Sequence, residues 1–145
     1  MINLKSTLLL LPIILIMSCS KSSNTDGSSN VPNVSVNVSF NITTAPYTAL
    51  TTVGGVLYLT GGYRGIMVYR LNSNTIVSYD RACTYNISNA AAIVTPQNNG
   101  TAICTDCGST YAISNGSVNT GPSTIGLKAY NTTFNTNTNI VTIVN

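Results

Sequence analysis

From residue 34 onward the chain alternates. Val34, Val36, Val38, Phe40 and Ile42 are apolar, and Ser35, Asn37, Ser39 and Asn41 stand between them. A period of two puts every second side chain on the same side of an extended backbone, so this stretch is a strand with one buried face. Further β-type runs follow at 53–60, 66–71, 75–79, 101–104, 110–113, 125–130 and 140–144. Turn-forming residues separate them: Gly61-Gly62, Asn72-Ser73-Asn74, Asn98-Asn99-Gly100, Asn115-Gly116 and Gly121-Pro122. No window carries an apolar stripe of helical period. Residues 89–94 could form one helical turn, which Pro96 would stop. The pattern predicts a small all-β domain of about eight to ten short strands, a sandwich or a barrel.

A length of 145 residues suffices for one such domain. The chain has six basic and three acidic residues, too few to make a basic stripe that would neutralise nucleic-acid phosphates. It contains no histidine, which removes the commonest general acid–base group and the commonest metal ligand. There is no Ser-His-Asp set and no carboxylate pair. Gly54-Gly55 and Gly61-Gly62 do not open a helix and are not phosphate loops. With no Trp and eight Tyr, tyrosine must supply most of the bulky aromatic packing. Arg64, Arg70 and Arg81 are candidates for pairing with Asp80 and Asp106.

The first twenty residues read MINLKSTLLLLPIILIMSCS. One lysine precedes a ten-residue apolar run at 8–17, too short for a stable membrane-spanning helix and suited to an export signal. The run ends at Ile16-Met17-Ser18-Cys19, which resembles the bacterial lipobox. That resemblance implies cleavage after residue 18 and a lipidated Cys19 as the first residue of the mature chain. Residues 19–32 are small and polar and read as a flexible tether. The expected organisation is a lipoprotein signal peptide at 1–18, a lipidated cysteine and tether at 19–32, and a β domain at 33–145. The domain would then sit outside the cytoplasm at the bacterial cell envelope, lipid-anchored on the periplasmic face or the cell surface, where disulfides can form.

Three cysteines remain. Cys83 lies in Tyr79-Asp80-Arg81-Ala82-Cys83-Thr84-Tyr85. Eighteen residues later comes Cys104-Thr105-Asp106-Cys107-Gly108-Ser109, followed by Tyr111, Ile113, Asn115-Gly116, Gly121-Pro122 and Leu127-Lys128-Ala129-Tyr130. This frame resembles the Rieske iron–sulfur domain, which has a C-x-H loop, a C-x-x-H loop followed by Gly-Ser, and a later Gly-Pro. The resemblance implies a small antiparallel β-sandwich or barrel in which two loop tips meet to form a cluster-like site. Matched by position, Cys83 and Cys104 fall on the family's cysteine ligands. Tyr85 and Cys107 fall on its two histidines. The disulfide that many such domains carry between these loops has no counterpart here.

The substituted ligands change the chemistry. Two neutral imidazoles raise a Rieske centre's potential; a thiolate and a phenolate would add negative charge and lower it. The first expectation is therefore a site without its standard cofactor. Its thiols would be free or joined between loops as Cys83–Cys104 or Cys83–Cys107, a closure worth about 3 kcal/mol in the chain-entropy model. A Cys104–Cys107 redox pair is a further possibility, although no basic residue in the C-x-x-C stretch would lower a thiol's pKa. The alternative is a [2Fe-2S] cluster held by Cys83, Cys104, Cys107 and Tyr85, making the protein an electron carrier. Zinc, closed by Asp106 or water, ranks after it. The function expected is a non-catalytic accessory or interaction role at the envelope. Its partners would be the membrane, through the anchor, and an envelope protein or redox donor. If the domain is redox-active it would carry electrons, since the chain lacks the second iron domain of an oxygenase.

Overall fold

The protein is described from a computed structural model covering residues 29–145. Cys19, the leader before it and residues 20–28 of the expected tether lie outside the described residues. Among the described residues ten strands form, within the expected number: β1 (Asn37–Asn41), β2 (Val56–Leu59), β3 (Ile66–Arg70), β4 (Ile76–Asp80), β5 (Val94–Pro96), β6 (Thr101–Cys104), β7 (Thr110–Ala112), β8 (Val118–Thr120), β9 (Asn131–Asn135) and β10 (Ile140–Val144). All strand pairings are antiparallel, in three sheets ordered β1-β10-β9, β2-β3-β4 and β5-β6-β7-β8. A short 3-10 turn at Tyr47–Thr51 is the only helical element among the described residues, and none there is long and apolar enough to cross a membrane.

β3 explains the layering. Ile66, Met67 and Val68 are consecutive and fully buried. Successive side chains on a strand point to opposite faces, so both faces of β3 must be covered. Ile66 and Val68 join Phe40, Leu50, Ile76, Tyr130, Val141 and Ile143 in one core, against the β1-β10-β9 sheet. Met67 joins Tyr79, Cys83, Val94, Cys104, Tyr111 and Ile113 in a second core, against the four-stranded sheet. Each fully buried side chain of this size contributes about 1.5–3 kcal/mol of transfer free energy. The cysteine loops belong to the second core, at the ends of β4 and β6.

Some elements differ from the sequence expectation. Residues 125–130 make no strand. They run along β4 with one bridge, Tyr79 to Ala129, and the bonds Asp80 N–H to Lys128 C=O (2.8 Å) and Tyr130 N–H to Ser78 C=O (3.0 Å). Leu127 and Tyr130 turn into different cores, so this edge is anchored by side chains more than by a ladder. β9 has the sequence NTTFN, with no alternating apolar face. It forms because β10 needs a partner on its second edge, and Thr142 of β10 faces Thr133 of β9.

The arginines do not work chiefly through carboxylates. Arg70 is buried and donates to the carbonyls of Leu50, Asn72 and Ser73 while its guanidinium lies 4.4 Å from the Phe134 ring centre. Arg81 stacks on Tyr58 at 4.1 Å and Arg64 on Tyr63 at 4.6 Å. Just before residue 33, Val31 is buried, the Asn30 side-chain amide donates to the Thr84 carbonyl at 2.8 Å, and Lys128 Nζ donates to the Pro32 carbonyl.

Candidate thiol site

The first loop leaves β4 through Asp80, a fully buried carboxylate. Its oxygens accept from the backbone N–H groups of Tyr63 (2.6 Å), Arg64 (3.1 Å) and Ala82 (2.9 Å) and from the Tyr130 hydroxyl (2.8 Å). Four donors on one buried anion compensate its desolvation and fix the backbone three residues before Cys83. The same carboxylate acts on Tyr130: burial first, then the hydrogen bond to Asp80 and the charge of that carboxylate, push its phenol well above the usual range. The loop is closed by a bridge between Ala82 and Ile93 and by the Cys83 N–H donating to the Ala92 carbonyl.

The second loop is the hairpin between β6 and β7. Cys104 N–H donates to the Ser109 carbonyl (2.8 Å), and Gly108 N–H returns to the Cys104 carbonyl (3.0 Å). Gly108 sits at φ 72°, the left-handed conformation that ends so tight a turn. Ser109 is then clamped from behind by Gly121, whose φ is 105° and where a Cβ would come within 2.5 Å of the Ser109 Cα.

The two loops bring three thiols together. The sulfurs of Cys83, Cys104 and Cys107 all lie within 4.8 Å of one another, with Cys83 Sγ 3.4 Å from Cys107 Sγ. All three are free thiols; Cys83 and Cys104 are buried and Cys107 is half-buried. The group has the composition and closeness to hold a metal ion. Burial chiefly, with the hydrogen bond to Cys83 adding to it, pushes Cys104 up to about 12. Cys107 moves the other way. Burial opposes its thiolate, but the hydroxyl and backbone N–H of Ser109 and the two neighbouring thiols outweigh that and lower it. The Cys107 thiol donates to Ser109 Oγ at 3.1 Å, and the same oxygen accepts the Ser123 N–H at 3.0 Å.

Tyr85 is 57% exposed, and among the described residues no hydrogen bond ties it to the thiols. The phenol that reaches them is Tyr111, fully buried, with its hydroxyl 3.8 Å from Cys83 Sγ and 3.1 Å from Thr84 Oγ1. Burial raises Tyr111 above the usual phenol range, so it remains a neutral donor. Thr84 donates to the Ile125 carbonyl (2.6 Å) and lies 2.8 Å from Ser123 Oγ. Sequence reasoning did not assign Thr84, Ser109, Tyr111 and Ser123 to the site. For Ser109 and Tyr111 a signal was available: after Cys107 they recur with the period of two and share one face of the hairpin. Asp106 is turned outward, its carboxylate accepting from Asn86 (3.4 Å) and Asn89 (3.0 Å), so it ties the loops together outside the thiol group.

A [2Fe-2S] cluster needs four protein donors divided between two irons. Here three thiols crowd one point, and the fourth expected donor, Tyr85, faces solvent over most of its surface. A tetrahedral ion with metal–sulfur bonds near 2.3 Å separates its ligand sulfurs by about 3.8 Å, whereas ligands on opposite irons stand farther apart. The described donor set therefore does not fit the standard cluster.

Fold and site together define an antiparallel all-β domain with a three-thiol group between two loop tips. No known protein-family model matches the chain. No curated protein matches it either. Among solved structures it is similar to the ferredoxin of carbazole 1,9a-dioxygenase from Nocardioides aromaticivorans IC177, at 12% identity and a TM-score of 0.49, over 77% of this chain and 97% of that chain. A likeness of that strength leaves the neighbour's chemistry with the neighbour.

Proposed function

We propose that this chain is a membrane-tethered lipoprotein of the bacterial envelope, whose exported Rieske-like β domain carries a thiol site in place of the standard cluster. Its role is binding or accessory, not catalytic. Cys19 carries the lipid, and residues 20–28 lead to the folded body. One observation supports the site reading above all others: three thiols meet at the loop tips of a chain that contains no histidine. A carboxylate base is also missing there. Asp80 is occupied by its four donors and Asp106 by two asparagines.

The competing reading is an electron carrier with an all-anionic [2Fe-2S] set, favoured by the same convergence of thiols. One preparation separates the two. The full chain is expressed with its leader in a bacterial host and purified from membranes in detergent. Iron and acid-labile sulfide are then measured, and mass spectrometry is run on the N-terminal peptide. The proposal expects a diacylglyceryl-modified Cys19, colourless protein and no labile sulfide. Stoichiometric iron and sulfide with absorption between about 400 and 600 nm would establish the electron carrier instead. An unmodified Cys19 in a soluble product would remove the lipoprotein.

A further inference from the structure

We infer that Cys83, Cys104 and Cys107 form a mononuclear site for a soft monovalent cation, Cu(I), held by three sulfurs. This rests on the reading of the loop tips as a thiol site and adds which ion the site selects. Three sulfurs around one ion at about 2.3 Å stand about 4 Å apart, whether the arrangement is planar or slightly pyramidal. The sulfurs here are all within 4.8 Å, and the closest pair is at 3.4 Å. Small side-chain adjustments would seat one ion.

The donor type decides among ions. Thiolates without imidazole or carboxylate select soft cations, whereas a structural zinc site takes four protein donors and three would leave its fourth position to water. Nothing among the described residues supplies a fourth. Histidine is absent from the chain, and the Asp106 carboxylate is engaged by Asn86 and Asn89. The Asp80 carboxylate is committed to Tyr63, Arg64, Ala82 and Tyr130. Cu(I) is satisfied by three sulfurs. Its single charge leaves a net negative site, and two hydroxyls stand ready to offset it: Ser109 Oγ at 3.1 Å from Cys107 Sγ and the Tyr111 hydroxyl at 3.8 Å from Cys83 Sγ. Binding releases one proton for each thiol that enters as thiolate, and no electron is transferred.

The test uses the full chain in detergent, anaerobic and fully reduced. Cu(I) is supplied as its bicinchoninate complex, and Zn(II) is present in about tenfold excess. One equivalent of Cu(I) should leave the chelator, and X-ray absorption should report a shell of three sulfurs. Cys107→Ala removes a half-buried thiol, and circular dichroism checks that the fold survives. It should weaken Cu(I) binding by more than the roughly 10–100-fold expected of a second-sphere change. Iodoacetamide treatment of the native protein gives a route to the same loss without a substitution. Retention of Zn(II) with Cu(I) left on the chelator overturns the inference. Three alkylatable thiols and no metal uptake also overturn it, while leaving the thiol site intact. Iron with labile sulfide overturns both this inference and the reading beneath it.

Discussion

Cys83 Sγ stands 3.4 Å from Cys107 Sγ, although twenty-four residues of sequence separate them. Two free thiols this close need little motion to bond. Oxidised glutathione acting on the metal-free protein should give a Cys83–Cys107 disulfide by two successive exchanges: the Cys107 thiolate attacks first, and Cys83 then displaces glutathione from the mixed disulfide. Two equivalents of reduced glutathione leave. Peptide mapping should find that pair and a free Cys104. A dominant Cys104–Cys107 bond would contradict the geometry. The closed loop should raise stability to unfolding by about 3 kcal/mol in the chain-entropy model.

The thiols should react in a fixed order as pH rises. Cys107 is lowered and partly exposed, so iodoacetamide should label it below the ordinary thiol range. Cys104, pushed up to about 12 and buried, should stay unlabelled until the protein unfolds. A thiol raised on folding keeps its proton longer in the native state. Its contribution to stability is therefore complete below its ordinary value of 9.0 and disappears as pH climbs toward about 12. Tyr79, raised to about 12 by burial, acts in the same direction from 10.0 upward. The urea midpoint should fall steadily between pH 9 and pH 12, and a flat profile there would count against both assignments. Cys107 works in the opposite sense: its contribution is present above the ordinary thiol pKa and is lost as pH falls through its lowered one.

Asp80→Ala should leave three backbone N–H donors, that of Ala82 buried, and the Tyr130 hydroxyl without their acceptor. At about 1–3 kcal/mol for each buried unpaired donor, a loss of about 3 kcal/mol or more is expected even after water enters. Urea denaturation measures it. Because Asp80 fixes the backbone leading to Cys83, labelling of Cys83 in the native state should also speed up.

Tyr79→Phe isolates a single hydrogen bond. The hydroxyl donates to the Ile113 carbonyl at 2.8 Å, linking β4 to the segment after β7 inside the second core. Its removal should cost about 1–2 kcal/mol with the Cu(I) and thiol chemistry unchanged.

Gly108→Ala and Gly121→Ala should differ in severity. Both glycines have positive φ, but a Cβ on Gly108 meets nothing within 4 Å, whereas one on Gly121 runs into the Ser109 backbone and hydroxyl. The first should cost about 1 kcal/mol from the left-handed conformation alone. The second should cost more and displace Ser109, bringing the Cys107 thiol back toward ordinary reactivity. Equal losses in thermal denaturation would refute this ranking.

Much of the fold was legible in the residues. The alternation at 34–42 and the apolar runs that became β3, β4, β6 and β10 declare strands, because a half-buried strand must repeat every two residues. β5, β8 and β9 were not visible. They have three, three and five residues, are mostly polar, and exist because a neighbouring strand offers an edge. The Rieske-like spacing named the three cysteines that the folded chain gathers at one point.

The sequence by itself determined the chemical inventory: no histidine, three thiols after Cys19, few charges and an all-β pattern. Only the tertiary structure decided which hydroxyls face the sulfurs. It buried Tyr111 beside Cys83, left Tyr85 exposed and turned Asp106 toward two asparagines. The physical reason is that a ligand shell is set by distances across loops distant in sequence. Those distances follow from how β4 and β6 pack over a shared core, which no local pattern records.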